Sequence, residues 1–218
     1  MEIIKLRKKI DNEYFSNQTI YNILKEQYRQ PNIKINKLVK SGDIISLKKG
    51  FYIFGETYRK ERFYKEPISN ILYGPSYISF EYALSFYNMI PEYVPSITSA
   101  ITTRSKSYET SIGSFFYRQI PSRVYDLGIT WIGDNNRSFF IASIEKALCD
   151  KVYIDKGILF ENQKDVFEYL EYDLRVDIEE LLKFDIEKLE EIVIAYKSHK
   201  LMMLYKAIKI LHRRNNAK

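Results

Sequence analysis

Residues 43–54 read Asp-Ile-Ile-Ser-Leu-Lys-Lys-Gly-Phe-Tyr-Ile-Phe, two β-rich runs separated by a turn ending in glycine. Ile45, Leu47, Phe51 and Ile53 alternate, which predicts a hairpin with these four on the face that meets the preceding helices and Lys48-Lys49-Gly50 at its tip. The residues before the hairpin have helical period. Ile3, Leu6 and Ile10 share one face of a first helix, and Ser16 caps a second over about residues 17–27, with Ile20, Ile23 and Leu24 inward. Pro31 suits the first turn of a third helix, whose Ile35, Leu38 and Val39 point to the core and which Gly42 ends. Three short helices followed by a lysine-tipped hairpin are the outline of a winged helix-turn-helix, with the third helix in the recognition position.

Charge divides along the chain. Residues 1–66 carry 15 Lys/Arg against 8 Asp/Glu, residues 67–196 carry 12 against 20, and residues 197–218 carry 7 against none. A basic head suits a polyanion, whereas the acidic middle should turn away from phosphates or face a basic partner. The single cysteine, Cys149, excludes an intramolecular disulfide and any cysteine-based metal cluster, which fits a reducing cytoplasm. No apolar run approaches the roughly 20 residues of a membrane helix, and no signal peptide follows the charged start. A soluble, cytoplasmic protein is expected.

The fold class predicted is α+β: the winged head over 1–60, then a domain over 61–218 with a mixed α/β body and a helical region from about residue 165. Residues 56–66, closed by Pro67, read as the connection. Within the body, residues 77–79 read as extended, 80–90 as a helix, and 96–103 and 114–120 as strands. Ser143 caps a helix with Ile144, Ala147, Leu148 and Val152 along its apolar side. Asp177 and Asp185 cap later helices, and the last, over about 198–213, buries Leu201, Leu204, Tyr205, Ile208 and Leu211.

On the third helix, the side away from the core presents Asn32, Asn36, Lys37 and Lys40, with Lys34 on the flank. Asparagine can read an adenine edge through two hydrogen bonds, and lysine neutralises phosphate. Asn32 and Asn36 are therefore the expected base readers, and Lys34, Lys37, Lys40, Lys48 and Lys49 the phosphate contacts. The same face also has the composition of an ordinary solvated helix. Lys206, Lys209 and Arg213 on the last helix read more readily as the outer face of a packed helix than as a further phosphate site. Enzyme chemistry has little support. His199 and His212 have no carboxylate at ligand spacing, Cys149 adjoins an apolar stripe, and Gly128 to Gly133 lacks the Lys-Ser/Thr ending of a phosphate loop. No catalytic residue, metal or cofactor is expected.

Three ordered motifs carry a family resemblance. They are Leu38-Val39-Lys40-Ser41-Gly42-Asp43-Ile44 with Lys49-Gly50-Phe51-Tyr52, then Gly74-Pro75-Ser76-Tyr77-Ile78-Ser79-Phe80-Glu81-Tyr82-Ala83-Leu84-Ser85-Phe86-Tyr87, and Ile141-Ala142-Ser143-Ile144-Glu145-Lys146-Ala147-Leu148-Cys149-Asp150. Over roughly residues 14–155 the chain resembles the AbiEi-type antitoxins of bacterial abortive-infection toxin–antitoxin systems. Cys149 stands where that family usually has an aliphatic residue. The resemblance implies a winged head that binds inverted repeats in the promoter of its own operon, with DNA contacts on the third helix and around Lys48 and Lys49. It implies a carboxy-terminal domain that counteracts a nucleotidyltransferase-type toxin, and it offers no catalytic residue. A different class of function is a protein-interaction module, in which the winged head is only a docking scaffold and the acidic body binds a basic partner.

Overall fold

The computed structural model describes residues 2–61, 63–134 and 137–216. It is a mixed α and β structure with helices at both ends. The head runs α1 (Glu2–Lys9), β1 (Tyr14–Ser16), α2 (Asn17–Leu24), α3 (Pro31–Lys40), β2 (Ile44–Lys48) and β3 (Phe51–Phe54), and its strands form an antiparallel sheet in the order β1-β3-β2. Ser16 ends β1 and caps α2, its hydroxyl accepting the Thr19 amide at 3.1 Å. Pro31 occupies the first turn of α3, where its missing N–H costs nothing, and Gly42 follows the helix with φ +76°. Gly55 is needed for a different reason: a Cβ there would lie 2.2 Å from the Gly42 carbonyl oxygen, because the end of β3 passes against the α3–β2 turn.

The hairpin is buried on both faces, and the expected assignment of those faces is reversed. Ile44, Tyr52 and Phe54 join Ile3, Leu6, Phe15, Ile20, Leu24, Ile35 and Leu38 in the core beneath the helices. Leu47, Phe51 and Ile53, expected to face the helices, instead enter the core of the body, with Ile45 packed against it. The four consecutive apolar residues of β3 carry no polar alternation to mark an outer face, as in strands covered on both sides.

The body begins with α4 (Lys65–Leu72), and Pro67 stands within its first turn rather than before it. It continues through β4 (Tyr77–Ile78), α5 (Phe80–Phe86), β5 (Ile97–Ile101), β6 (Lys106–Thr110), β7 (Gly113–Gln119), β8 (Ile129–Ile132) and β9 (Phe139–Ala142). These strands make one six-stranded sheet in the order β6-β7-β5-β4-β9-β8, parallel at β5/β7 and β4/β9 and antiparallel elsewhere. The helical region follows as α6 (Ile144–Ile154), α7 (Gln163–Glu168), α8 (Ile186–Tyr196) and α9 (His199–Asn216), with a π turn over Tyr169–Asp173 and a 3-10 segment over Ile178–Lys183. Asp185 caps α8 by accepting the Glu187 and Lys188 amides.

Helix α6 departs from the one-sided stripe expected of it. Besides Ala147, Leu148 and Val152, it buries Glu145, Lys146, Cys149 and Asp150. Ser143 caps it and donates to Glu145 Oε2 at 2.7 Å, while Glu145 Oε1 accepts the Asp185 amide at 3.1 Å, joining the starts of α6 and α8. Burial raises the Cys149 thiol pKa well above its ordinary range, so the thiol stays protonated and unreactive.

Candidate nucleic-acid interface

Helix α3 has the sequence Pro-Asn-Ile-Lys-Ile-Asn-Lys-Leu-Val-Lys, with no acidic residue. Pro31, Ile35 and Leu38 are buried, so the 3.6-residue repeat turns the opposite arc to solvent. Asn32, Asn36 and Lys40, four residues apart, form one exposed row, and Ile33 and Lys37 form a second beside it. Five exposed side chains on two adjacent rows thus combine amide, ammonium and aliphatic chemistry. Lys34 lies at the margin, half-buried, its ammonium 5.5 Å from the centre of the Tyr28 ring.

Ile33 was not among the residues singled out from the sequence. It is 52% exposed despite being aliphatic, on the same arc as Asn36 and Lys37. The helical period of Ile35 and Leu38 already places it outside the core. An exposed apolar group on this face is suited to a thymine methyl.

The two hairpin lysines are not equivalent. Lys49 is exposed at the turn. Lys48, expected on phosphate, is half-buried; its ammonium donates to the Leu72 carbonyl at the end of α4 and lies 6.0 Å from the centre of the Phe51 ring. A local irregularity between Ser46 and Lys48 shifts the pairing of β2 with β3, and the Ser46 hydroxyl donates to the Lys48 carbonyl at 3.2 Å. The hairpin tip is thereby drawn toward the body, and Lys48 is a tether between the two parts of the chain. The expected two-lysine tip retains one freely exposed ammonium, that of Lys49.

Elsewhere in the head, Arg7 is buried rather than presented. It donates to the Ile10 and Asp11 carbonyls, pairs with Glu13, and stacks over Phe54 with its guanidinium carbon 4.6 Å from the ring centre. This contact set fixes α1 against β1 and the hairpin. On α9, Lys200 donates to the Asp155 carbonyl at 2.6 Å and Lys209 contacts Tyr205 and Glu190, whereas Lys206, Arg213 and Arg214 are exposed. The basic surface of α9 is thus partly spent on packing.

The sequence matches no family model and no curated protein. Among solved structures, it is similar to JHP933 from Helicobacter pylori, with 12% identity and a TM-score of 0.30 over 70% of this chain and 90% of that one. Among the described residues, no helix is long and apolar enough to cross a membrane.

Proposed function

We propose that this chain is a DNA-binding antitoxin of the AbiEi type, which represses its own operon and counteracts a nucleotidyltransferase-type toxin. Its head serves as a winged helix with α3 in the major groove. The reading rests above all on the exposed face of α3: the Asn32, Asn36 and Lys40 row beside Ile33 and Lys37, on a helix with no acidic residue. Amides to read base edges, an aliphatic group for a thymine methyl and ammonium groups for phosphates are the mixture a recognition helix requires. Lys49 supplies a further phosphate contact from the hairpin, and Lys48 acts through structure rather than through DNA.

Gel-shift titration of the full chain on its own upstream DNA, at several salt concentrations, tests the proposal. Specific binding with affinity falling as salt rises is the expected result, and the Lys37→Ala/Lys40→Ala variant should flatten the salt dependence. Binding that ignores both sequence and salt would overturn it. Antitoxin activity is tested separately: the reading expects a nucleotidyltransferase-type gene next to this one, and growth arrested by its product should be rescued when the chain is produced with it.

One observation favours a second reading, the interaction module in which the head is a scaffold. The hairpin is buried on both faces and Lys48 is turned inward, so the wing presents less surface than in a freely projecting hairpin. A basic partner held by the acidic body, with no DNA shift at low salt, is the outcome this reading requires.

A further inference from the structure

A cleft of about 740 Å³ opens where β1 of the head meets the body, lined by Tyr14, Tyr125, Trp131 and Phe140 among others. Its size is that of a small-molecule site. Trp131 and Phe140 face each other across β8 and β9 as an edge-to-face pair, 4.6 Å between ring centres, yet remain 57% and 45% exposed. Large rings left this open beside a concavity offer unused stacking surface.

The polar groups of the cleft narrow the chemistry of an occupant. Ser76 is 4% exposed, and its Oγ has no hydrogen-bond partner among the described residues. A buried hydroxyl without a partner costs stability, and Ser76 stands on the wall of the cleft, where an inserted group can supply that partner. Asp126 is exposed on the lining and has no ion pair among the described residues. A carboxylate only accepts hydrogen bonds and repels phosphate.

We propose that this cleft binds a planar nitrogen heteroaromatic bearing N–H donors, of the class and size of an unphosphorylated nucleoside. Its ring stacks on Trp131, with Phe140, whose plane is 67° from that of Trp131, meeting it edge-on, and its N–H groups meet Asp126 and Ser76. The assignment is independent of the DNA-binding reading, because it uses none of the residues of α3 or the hairpin turn.

Trp131 is the one tryptophan of the chain, so intrinsic fluorescence reports on the cleft directly. Adenosine, guanosine and cytidine titrated into the full chain should give saturable quenching with at least one of them. The corresponding 5′-monophosphate should bind several-fold more weakly, and Asp126→Asn should close that gap. Ser76→Ala should weaken the nucleoside about tenfold, the effect of one hydrogen bond, without lowering the unfolding midpoint of the free protein. Absence of saturable quenching with all three nucleosides, or equal binding of nucleoside and monophosphate, overturns the proposal. So does a concentration-dependent blue shift of Trp131 that tracks dimer formation in sedimentation, since a second copy would then cover the cleft.

Discussion

Lys146 Nζ lies 2.7 Å from Asp150 Oδ1, one helical turn away on α6, and both side chains are fully buried. The pair is closed by hydroxyls from distant parts of the chain. Tyr77 and Ser79 donate to Asp150 Oδ2 at 2.9 and 2.6 Å, Tyr196 donates to Oδ1, and Lys146 reaches the Tyr196 oxygen at 3.1 Å. Asp150 thereby binds together β4, the start of α5 and the end of α8. Phe80, which follows Ser79, sits at φ +59°, a conformation a bulky residue adopts only when its surroundings hold it there.

Removing one charge of the Lys146–Asp150 pair leaves the other buried without its counter-ion, so the two losses should not add. Lys146→Met leaves a buried carboxylate without its counter-ion and is expected to lose about 3–5 kcal/mol of stability. The double variant Lys146→Met/Asp150→Leu leaves no unpaired charge and should lose less than the two single variants summed, the remaining loss coming from the Tyr77, Ser79 and Tyr196 hydroxyls left without their acceptor. Urea unfolding of the wild type, both single variants and the double variant measures the coupling directly. Equal, additive losses would mean that the pair is not a unit.

On the DNA-binding reading, the two hairpin lysines should separate cleanly. Lys49→Ala is expected to leave the unfolding midpoint unchanged and to reduce the salt slope of binding by about one. Lys48→Ala removes the donor to the Leu72 carbonyl and should lower stability by about 1 kcal/mol, with any effect on DNA following from the loosened hairpin. Thermal unfolding alongside gel-shift titration distinguishes the two. A Lys48→Ala protein of full stability with a reduced salt slope would return that side chain to the phosphates.

How much of this was visible in the sequence depended on how local each determinant is. Ser16, Pro31, Gly42, Ser143 and Asp185 act on the backbone within a few residues, and each ends or starts an element where expected. The face of the hairpin was not legible, because Phe51-Tyr52-Ile53-Phe54 is apolar throughout and only the presence of a second core decides which pair faces which. Of the candidate site, the exposure of Asn32, Asn36, Lys37 and Lys40 followed from helical period, whereas the inward turn of Lys48 depends on Leu72, 24 residues on. Lys146 and Asp150 look like a solvated i, i+4 pair. Their burial is set by Tyr77, 73 residues before Asp150, and Tyr196, 46 residues after it.

The two rows of α3 should make different contributions if the helix enters the groove. Asn36→Ala removes a potential bidentate contact and is expected to cost about 1–3 kcal/mol on the cognate site, with relaxed preference at one base pair. Lys37→Ala should weaken binding to all sequences alike. Ile33→Ala should lose discrimination at a single thymine while leaving the salt slope unchanged. Competition binding against single-substitution operator variants resolves these patterns, and a uniform loss from Asn36→Ala would show that this residue reads no base.

Alkaline pH should unfold the chain through its tyrosines. Desolvation raises the hydroxyl pKa of Tyr77, Tyr117, Tyr169 and Tyr196 above the ordinary value of 10.0, and Asp150 adds to the effect at Tyr77 and Tyr196. A tyrosine whose folded pKa exceeds its unfolded one keeps its proton in the native state after the unfolded chain has lost it. Stability from these groups is therefore complete below pH 10 and falls as pH rises from there toward the folded values. Urea midpoints should be flat in this respect up to about pH 9.5 and decline steeply above about pH 10.5, with the part of the tyrosinate absorbance that belongs to these four buried rings appearing together with loss of structure, after that of exposed tyrosines such as Tyr93 and Tyr172. Replacing Tyr196 by Phe removes one such proton and should make the decline shallower, at the cost of leaving Asp150 short of a donor at every pH. Tyrosinate absorbance that develops fully in the folded protein would mean that these hydroxyls are open to solvent.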